Sequence, residues 1–273
     1  MHIAAQVRDA VDRLELPFNA LGLDPYGISK RHLVRAMTPL AFAYRHYFSV
    51  QTRGIDHVPR RGRAMLVGNH SGGIAIDATM VIASCLLELD PPRLAQGMAE
   101  RFLNRFAVAS VWANRTGQFT GLPEHAERLL RDDRLLLVFP EGARGTAKLF
   151  RDRYSLVDFG SGFMRLALKT ETPIVPFAVL GTGDAFPTIA NARALGRVLG
   201  LPYVPVTATG LPLVLPAKVE IEYAGPIRFE GTGNEEDEIV AAQVNRVKAV
   251  IASMLESGVR RRRGEPSPAT REP

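Results

Sequence analysis

Two short motifs, about seventy residues apart, constrain this chain more than any other feature of its sequence. The first, Asn69-His70-Ser71-Gly72-Gly73-Ile74-Ala75-Ile76-Asp77, follows the apolar run from Ala64 to Val67. The second, Val138-Phe139-Pro140-Glu141-Gly142-Ala143-Arg144-Gly145, closes the apolar run from Leu135 to Phe139. Short unbroken apolar runs of this kind read as strands buried on both faces. One motif therefore sets a histidine, a glycine pair and a carboxylate just beyond a strand. The other sets a carboxylate and an arginine on a tight turn.

The rest of the chain alternates in the same way. Strand-like segments at Phe48 to Thr52, Leu94 to Met98, Pro173 to Leu180 and Lys218 to Tyr223 are interleaved with helical ones. The helices are expected at about Ala75 to Leu89, through Phe106, and at Pro123 to Arg131, Gly162 to Lys169 and Glu235 to Glu256. Pro123 and Glu124 suit a helix start, since proline lacks an N–H the first turn does not need and an acid there complements the dipole. Ser110 to Ala113 reads as a short extended piece ending at Asn114-Arg115. This order predicts an α/β domain: a mainly parallel or mixed central sheet flanked by helices. Residues 1–47 read as an N-terminal helical pair, amphipathic and broken at Leu23-Asp24-Pro25-Tyr26-Gly27. Residues 48–258 read as the domain proper, and 259–273, with Arg260 to Arg263, as a disordered basic tail. Leu195 to Pro216 looks too broken for a regular helix. It is expected either as a buried loop or as the lining of an apolar tunnel or bilayer-facing edge.

The first motif has the parts of a general-base site. Histidine titrates near working pH, and a carboxylate on its other ring nitrogen fixes the tautomer and stabilises the imidazolium. Asp77 is the nearest carboxylate downstream of His70. Gly72 and Gly73 allow a tight turn and leave amides open to a developing oxyanion. A continuous helix would part the two Cα atoms by about 10 Å, so Ser71-Gly72-Gly73 must fold His70 back over the helix that carries Asp77. The alternative is a histidine capping a strand and an aspartate on a helix surface.

Taken together, the two motifs resemble the glycerolipid (lysophospholipid or 1-acylglycerol-3-phosphate) acyltransferase family, whose signature pairs a His-to-Asp motif with Pro-Glu-Gly-x-Arg. The commonest form of the first motif has four residues between His and Asp. Six stand here, which is similar to a branch that includes monoacylglycerol- and diacylglycerol-acyltransferase-like proteins. The resemblance spans roughly Phe48 to Pro226. It implies transfer of a fatty acyl group from a thioester, acyl-CoA or acyl-carrier protein, to a lipid hydroxyl, with no further cofactor. It also implies that Glu141 and Gly142 orient glycerol hydroxyls and that Arg144 and Arg115 hold an anionic group of the acceptor. Arginine's planar fork suits such a group. A non-catalytic lipid-binding protein and a thioesterase or lipase are the competing readings.

Composition narrows the partners. With 34 basic and 28 acidic residues the net charge is +6. Much of that excess lies in the C-terminal arginine run, which suits anionic lipid better than nucleic acid, since no basic-aromatic interleaving accompanies it. One cysteine, Cys85, permits no internal disulfide and fits a reducing compartment. No His-Glu-x-x-His or cysteine cluster marks a metal site, and no Gly-x-Ser-x-Gly elbow marks a serine hydrolase. The N-terminus lacks a signal-peptide plan, and no apolar stretch reaches the length of a spanning helix. The expected location is cytoplasmic and peripheral to the membrane, with a rim formed by the N-terminal helices, especially Leu33 to Phe48 with its stripe Ala36, Leu40, Ala43 and Tyr47, together with part of Leu195 to Pro216.

Overall fold

The computed structural model describes residues 2–99, 107–120, 122–210 and 213–265. Its strands are β1 (Gln51–Arg53), β2 (Ala64–Gly68), β3 (Ala95–Ala99), β4 (Phe119–Thr120), β5 (Leu135–Val138), β6 (Ile174–Leu180), β7 (Thr188–Ala192), β8 (Val204–Thr207) and β9 (Glu220–Tyr223). Its α-helices are α1 (Ile3–Asp12), α2 (Lys30–Phe42), α3 (Ile76–Glu88), α4 (Ala107–Arg115), α5 (Pro123–Arg131), α6 (Ala143–Thr146), α7 (Gly162–Lys169), α8 (Thr182–Ala185), α9 (Arg193–Leu199) and α10 (Asp237–Arg262). Seven strands form one sheet in the order β1-β9-β6-β2-β5-β3-β4, and β7 and β8 form a separate antiparallel hairpin. From β6 to β4 every pairing is parallel, while β9 runs antiparallel to β6 and β1 follows β9. The sheet is thus mixed, as the alternation of elements implies.

Strand side chains point alternately to the two faces, and each face is covered. Leu66, Leu137, Val175 and Phe177 pack towards α1, α2 and α3. Their neighbours Met65, Val67, Leu136 and Ala178 pack towards α5, α7 and α10. This double burial is why the central strands read as continuous apolar runs.

Several boundaries differ from expectation. The N-terminal helices are no separate segment: Val7, Val11, Leu33, Met37 and Tyr44 are buried in the same core as α3 and the sheet. Leu40 and Ala43, from the proposed rim, pack against that core as well. Ser110 to Ala113 lies within α4 rather than in an extended piece. Most of the helix expected through Phe106 falls outside the described residues. The basic tail is partly ordered, since α10 runs on to Arg262. Ion pairs hold its last turn, with Arg261 Nη2 2.5 Å from Glu222 and Arg262 Nη2 3.0 Å from Asp184. Leu195 to Pro216 includes most of α9 and all of β8, because Gly200 ends the helix in the left-handed conformation (φ 70°) and lets the chain turn back. Cys85 is buried, and burial pushes its thiol up to about 11, so it packs as an inert apolar group. Among the described residues no helix is long and apolar enough to cross a membrane, and no group of side chains is suited to hold a metal ion.

Candidate active site

The two motifs meet because of sheet register. β2 and β5 are parallel neighbours with Val67 opposite Val138. The same offset sets His70 beside Glu141, just beyond the carboxyl ends of both strands. The backbone N–H of His70 donates to Glu141 Oε1 at 2.8 Å. Asn69 extends the other side of β2: its amide donates to Val179 O at 2.9 Å and accepts from Val179 N at 2.8 Å. His70 is thereby fixed between β5 and β6. The carboxyl ends of such strands are where open α/β sheets usually bind ligands.

From there the chain makes a non-helical turn before α3 begins at Ile76. Gly72 and Gly73 take φ of 93° and 67°, a region that L side chains avoid. A Cβ on Gly72 would lie 2.8 Å from Thr182 O, and one on Gly73 2.5 Å from the Phe186 ring. The turn brings Asp77 back under His70, with Asp77 Oδ2 2.7 Å from His70 Nδ1. The same oxygen accepts the Ser71 N–H at 2.8 Å, and Oδ1 accepts the Ala78 N–H at 2.8 Å. Asp77 is fully buried in the first turn of α3, where the helix dipole favours its charge. An ionised Asp77 assigns the proton to Nδ1 and leaves Nε2 as the basic nitrogen. The His70 side chain is 12% exposed and stacks on Phe139, with ring centroids 4.1 Å apart.

The second motif is a strut for the first. Glu141 Oε1 accepts from His70 N and from Lys148 Nζ at 3.0 Å, and Oε2 from Val157 N at 2.9 Å and Lys148 Nζ at 2.7 Å. Three donor groups, two backbone amides and one ammonium, thus hold a carboxylate that is fully buried. Gly142 turns the chain with φ of 54°. Gly145 then packs under His70, where a Cβ would stand 2.7 Å from His70 Cβ and 2.8 Å from Glu141 Cβ. Lys148 also donates to Ser155 O at 2.7 Å, and burial pushes its pKa down against the pull of Glu141.

The arginines stand elsewhere. Arg144 is exposed and donates to Asp158 O at 3.0 Å. Arg115 ends α4 and donates to Gly27 O at 3.1 Å. That loop is tied through Asp24 to Arg134, the residue before β5, and so lies at the end of the sheet opposite His70. The structure therefore brings together His70, Asp77, Gly72, Gly73, Glu141 and Gly142, and leaves Arg115 apart. The amide of Gly73 is committed to Thr146 O at 3.1 Å, whereas that of Gly72 donates to none of the described residues. Sequence reasoning missed Asn69, Gly145 and Lys148. A lysine seven residues past Glu141 was the only trace of the buried pair.

Residues 49–180 match the acyltransferase family. An uncharacterized protein of Mycobacterium tuberculosis strain H37Rv is 32% identical over 244 residues, which cover 86% of this chain and 67% of the relative. One from Mycobacterium leprae is 29% identical over 267 residues, covering 93% and 71%. In fold, the chain is similar to the 1-acyl-sn-glycerophosphate (LPA) acyltransferase PlsC of Thermotoga maritima. The TM-score is 0.56 at 17% identity, over 83% of this chain and 80% of that one.

Proposed function

The chain belongs to the acyltransferase family of enzymes, and on that premise we propose that it moves a fatty acyl group from acyl-CoA or acyl-carrier protein to a hydroxyl of a glycerolipid or lysophospholipid. The observation that carries this reading is the His70–Asp77 contact across the glycine turn. The acceptor hydroxyl gives its proton to His70 Nε2 as its oxygen bonds to the thioester carbonyl carbon. The carbonyl oxygen takes up the negative charge, and the Gly72 amide is the candidate donor for it. The intermediate collapses by breaking the C–S bond, and the imidazolium returns its proton to the leaving thiolate. Asp77 holds the imidazole and balances its transient charge. The thioester supplies the activation, so neither a metal nor a covalent acyl-enzyme enters the scheme. The enzyme works at the cytoplasmic surface of a membrane, where its lipid acceptor resides.

The test is transfer from labelled oleoyl-CoA to lysophosphatidate and to monoacylglycerol, each dispersed in detergent. Acylated lipid should form, and His70→Ala should lower the rate by about a hundred- to ten-thousandfold while the protein stays folded. Free fatty acid released equally fast without acceptor would establish a hydrolase instead. No turnover of any thioester would leave a lipid-binding protein.

A further inference from the structure

We propose that the β7–α9–β8 unit docks the enzyme on an anionic lipid surface, with α9 lying in the interface beside the site. This rests on the lipid acceptor proposed above. Leu195, Val198 and Leu199 are 49%, 83% and 53% exposed, and their spacing puts them on one face of α9. Ile189 on β7 and Val206 on β8 are exposed apolar residues of the same unit. Large apolar side chains set together on one exposed helix face mark an interaction surface more often than scattered ones do. The helix packs on its own hairpin through Gly196, where a Cβ would come within 2.6 Å of Tyr203 Cα. Its apolar face is therefore turned away from the core.

Charge selects the occupant. From 185 to 219 the chain has no aspartate or glutamate, while Arg193, Arg197 and Lys218 are exposed. Arg193 and Arg197 lie on the side of α9 opposite the apolar face, and a helix with apolar and basic faces of this kind suits an anionic interface. The unit is also tied to the catalytic turn. Tyr203 donates to Thr146 Oγ1 at 2.5 Å, next to the Thr146 carbonyl that accepts from Gly73 N, and Asn191 Nδ2 donates to Ala147 O at 2.6 Å. A bilayer under α9 thus lies beside the Gly72-Gly73 turn, where an acceptor must present its hydroxyl.

The experiment is flotation of the full chain with vesicles of phosphatidylcholine alone, or mixed with phosphatidylglycerol, at low and high salt. Wild-type protein should float with the anionic vesicles and be released by salt. Arg193→Glu with Arg197→Glu should weaken that binding by about thirtyfold or more. Leu195→Asp with Val198→Asp and Leu199→Asp should abolish it. Both variants should keep wild-type transfer to a detergent-dispersed acceptor, which shows that the site and the fold are intact. His70→Ala should float normally. Unchanged flotation of the triple variant overturns the proposal, as does failure of the wild type to bind anionic vesicles. A wild-type dimer that the triple variant splits, with vesicle binding unaltered, assigns the face to self-association and also overturns it. Loss of flotation in the triple variant of a protein that acylates no lipid leaves the surface standing and removes the reaction.

Discussion

Lys148→Met is the most searching perturbation of this site, because it removes a charge without touching the reacting groups. Lys148 and Glu141 form an ion pair at 2.7 Å with side chains 3% and 0% exposed. Methionine keeps the length and apolar stem of lysine but leaves the carboxylate buried without its counter-charge. Removing one partner of a buried pair costs about 3–5 kcal/mol. Glu141 would keep the N–H groups of His70 and Val157, and these charge-assisted bonds place the expected loss near the lower end, about 3 kcal/mol. A second change, Glu141→Gln, removes that unpaired charge but turns an NH2 towards the N–H of His70 or of Val157, so it should recover only a small part of the loss. The coupling in the double-mutant cycle should be about 1–2 kcal/mol. Urea unfolding of the four proteins measures these terms. Turnover should fall in parallel, because Glu141 holds the backbone of His70, while the KM for the thioester should change little. A Lys148→Met protein destabilised by under about 1 kcal/mol, with unaltered kcat, would falsify the view that this pair supports His70, the proposed general base.

Two further outcomes follow from placement alone. Gly145→Ala should lower stability by about 1–3 kcal/mol and reduce kcat, since its Cβ meets His70 Cβ, Glu141 Cβ and His70 O at 2.7, 2.8 and 3.0 Å; melting and steady-state rates that match wild type count against that packing. Arg144→Ala should change stability by less than about 0.5 kcal/mol, because the side chain is exposed. If Arg144 holds an anionic head group, the KM for lysophosphatidate should rise while that for monoacylglycerol stays put, and equal effects on both would remove it from acceptor recognition.

The central sheet was legible because its strands are buried on both faces. Leu135 to Val138 and Ile174 to Leu180 have no polar side to blur the pattern. The contact between His70 and Asp77 was legible for a different reason. The gap between His70 and Asp77 is too long for one helix, and the two glycines could supply the positive φ values that close it. What the sequence hid were interactions between distant segments. Nothing local distinguishes a buried Lys148 from a solvated one, or shows that Arg261 and Arg262 reach back to carboxylates on β9 and at Asp184. The hairpin from Thr188 to Thr207 was obscured by its own composition, since its apolar residues face outward and carry no burial rhythm.

The fate of Glu141 bears on how the acceptor is held. The family resemblance gives this residue the glycerol hydroxyls, but here both its oxygens are filled by donors from the protein. The Glu141 side chain is also fully buried, so a hydroxyl could reach it only by pushing aside a backbone amide or the Lys148 ammonium, and a buried donor left unpaired costs about 1–3 kcal/mol. Glu141 is therefore poorly placed to hold an acceptor hydroxyl. The second motif contributes by rigidity. It fixes the backbone of His70 from the β5 side while Asp77 fixes its ring from α3, so the Nε2 lone pair is aimed before either substrate arrives. Such preorganisation is worth most when the reaction has no covalent intermediate to hold the acyl group in place.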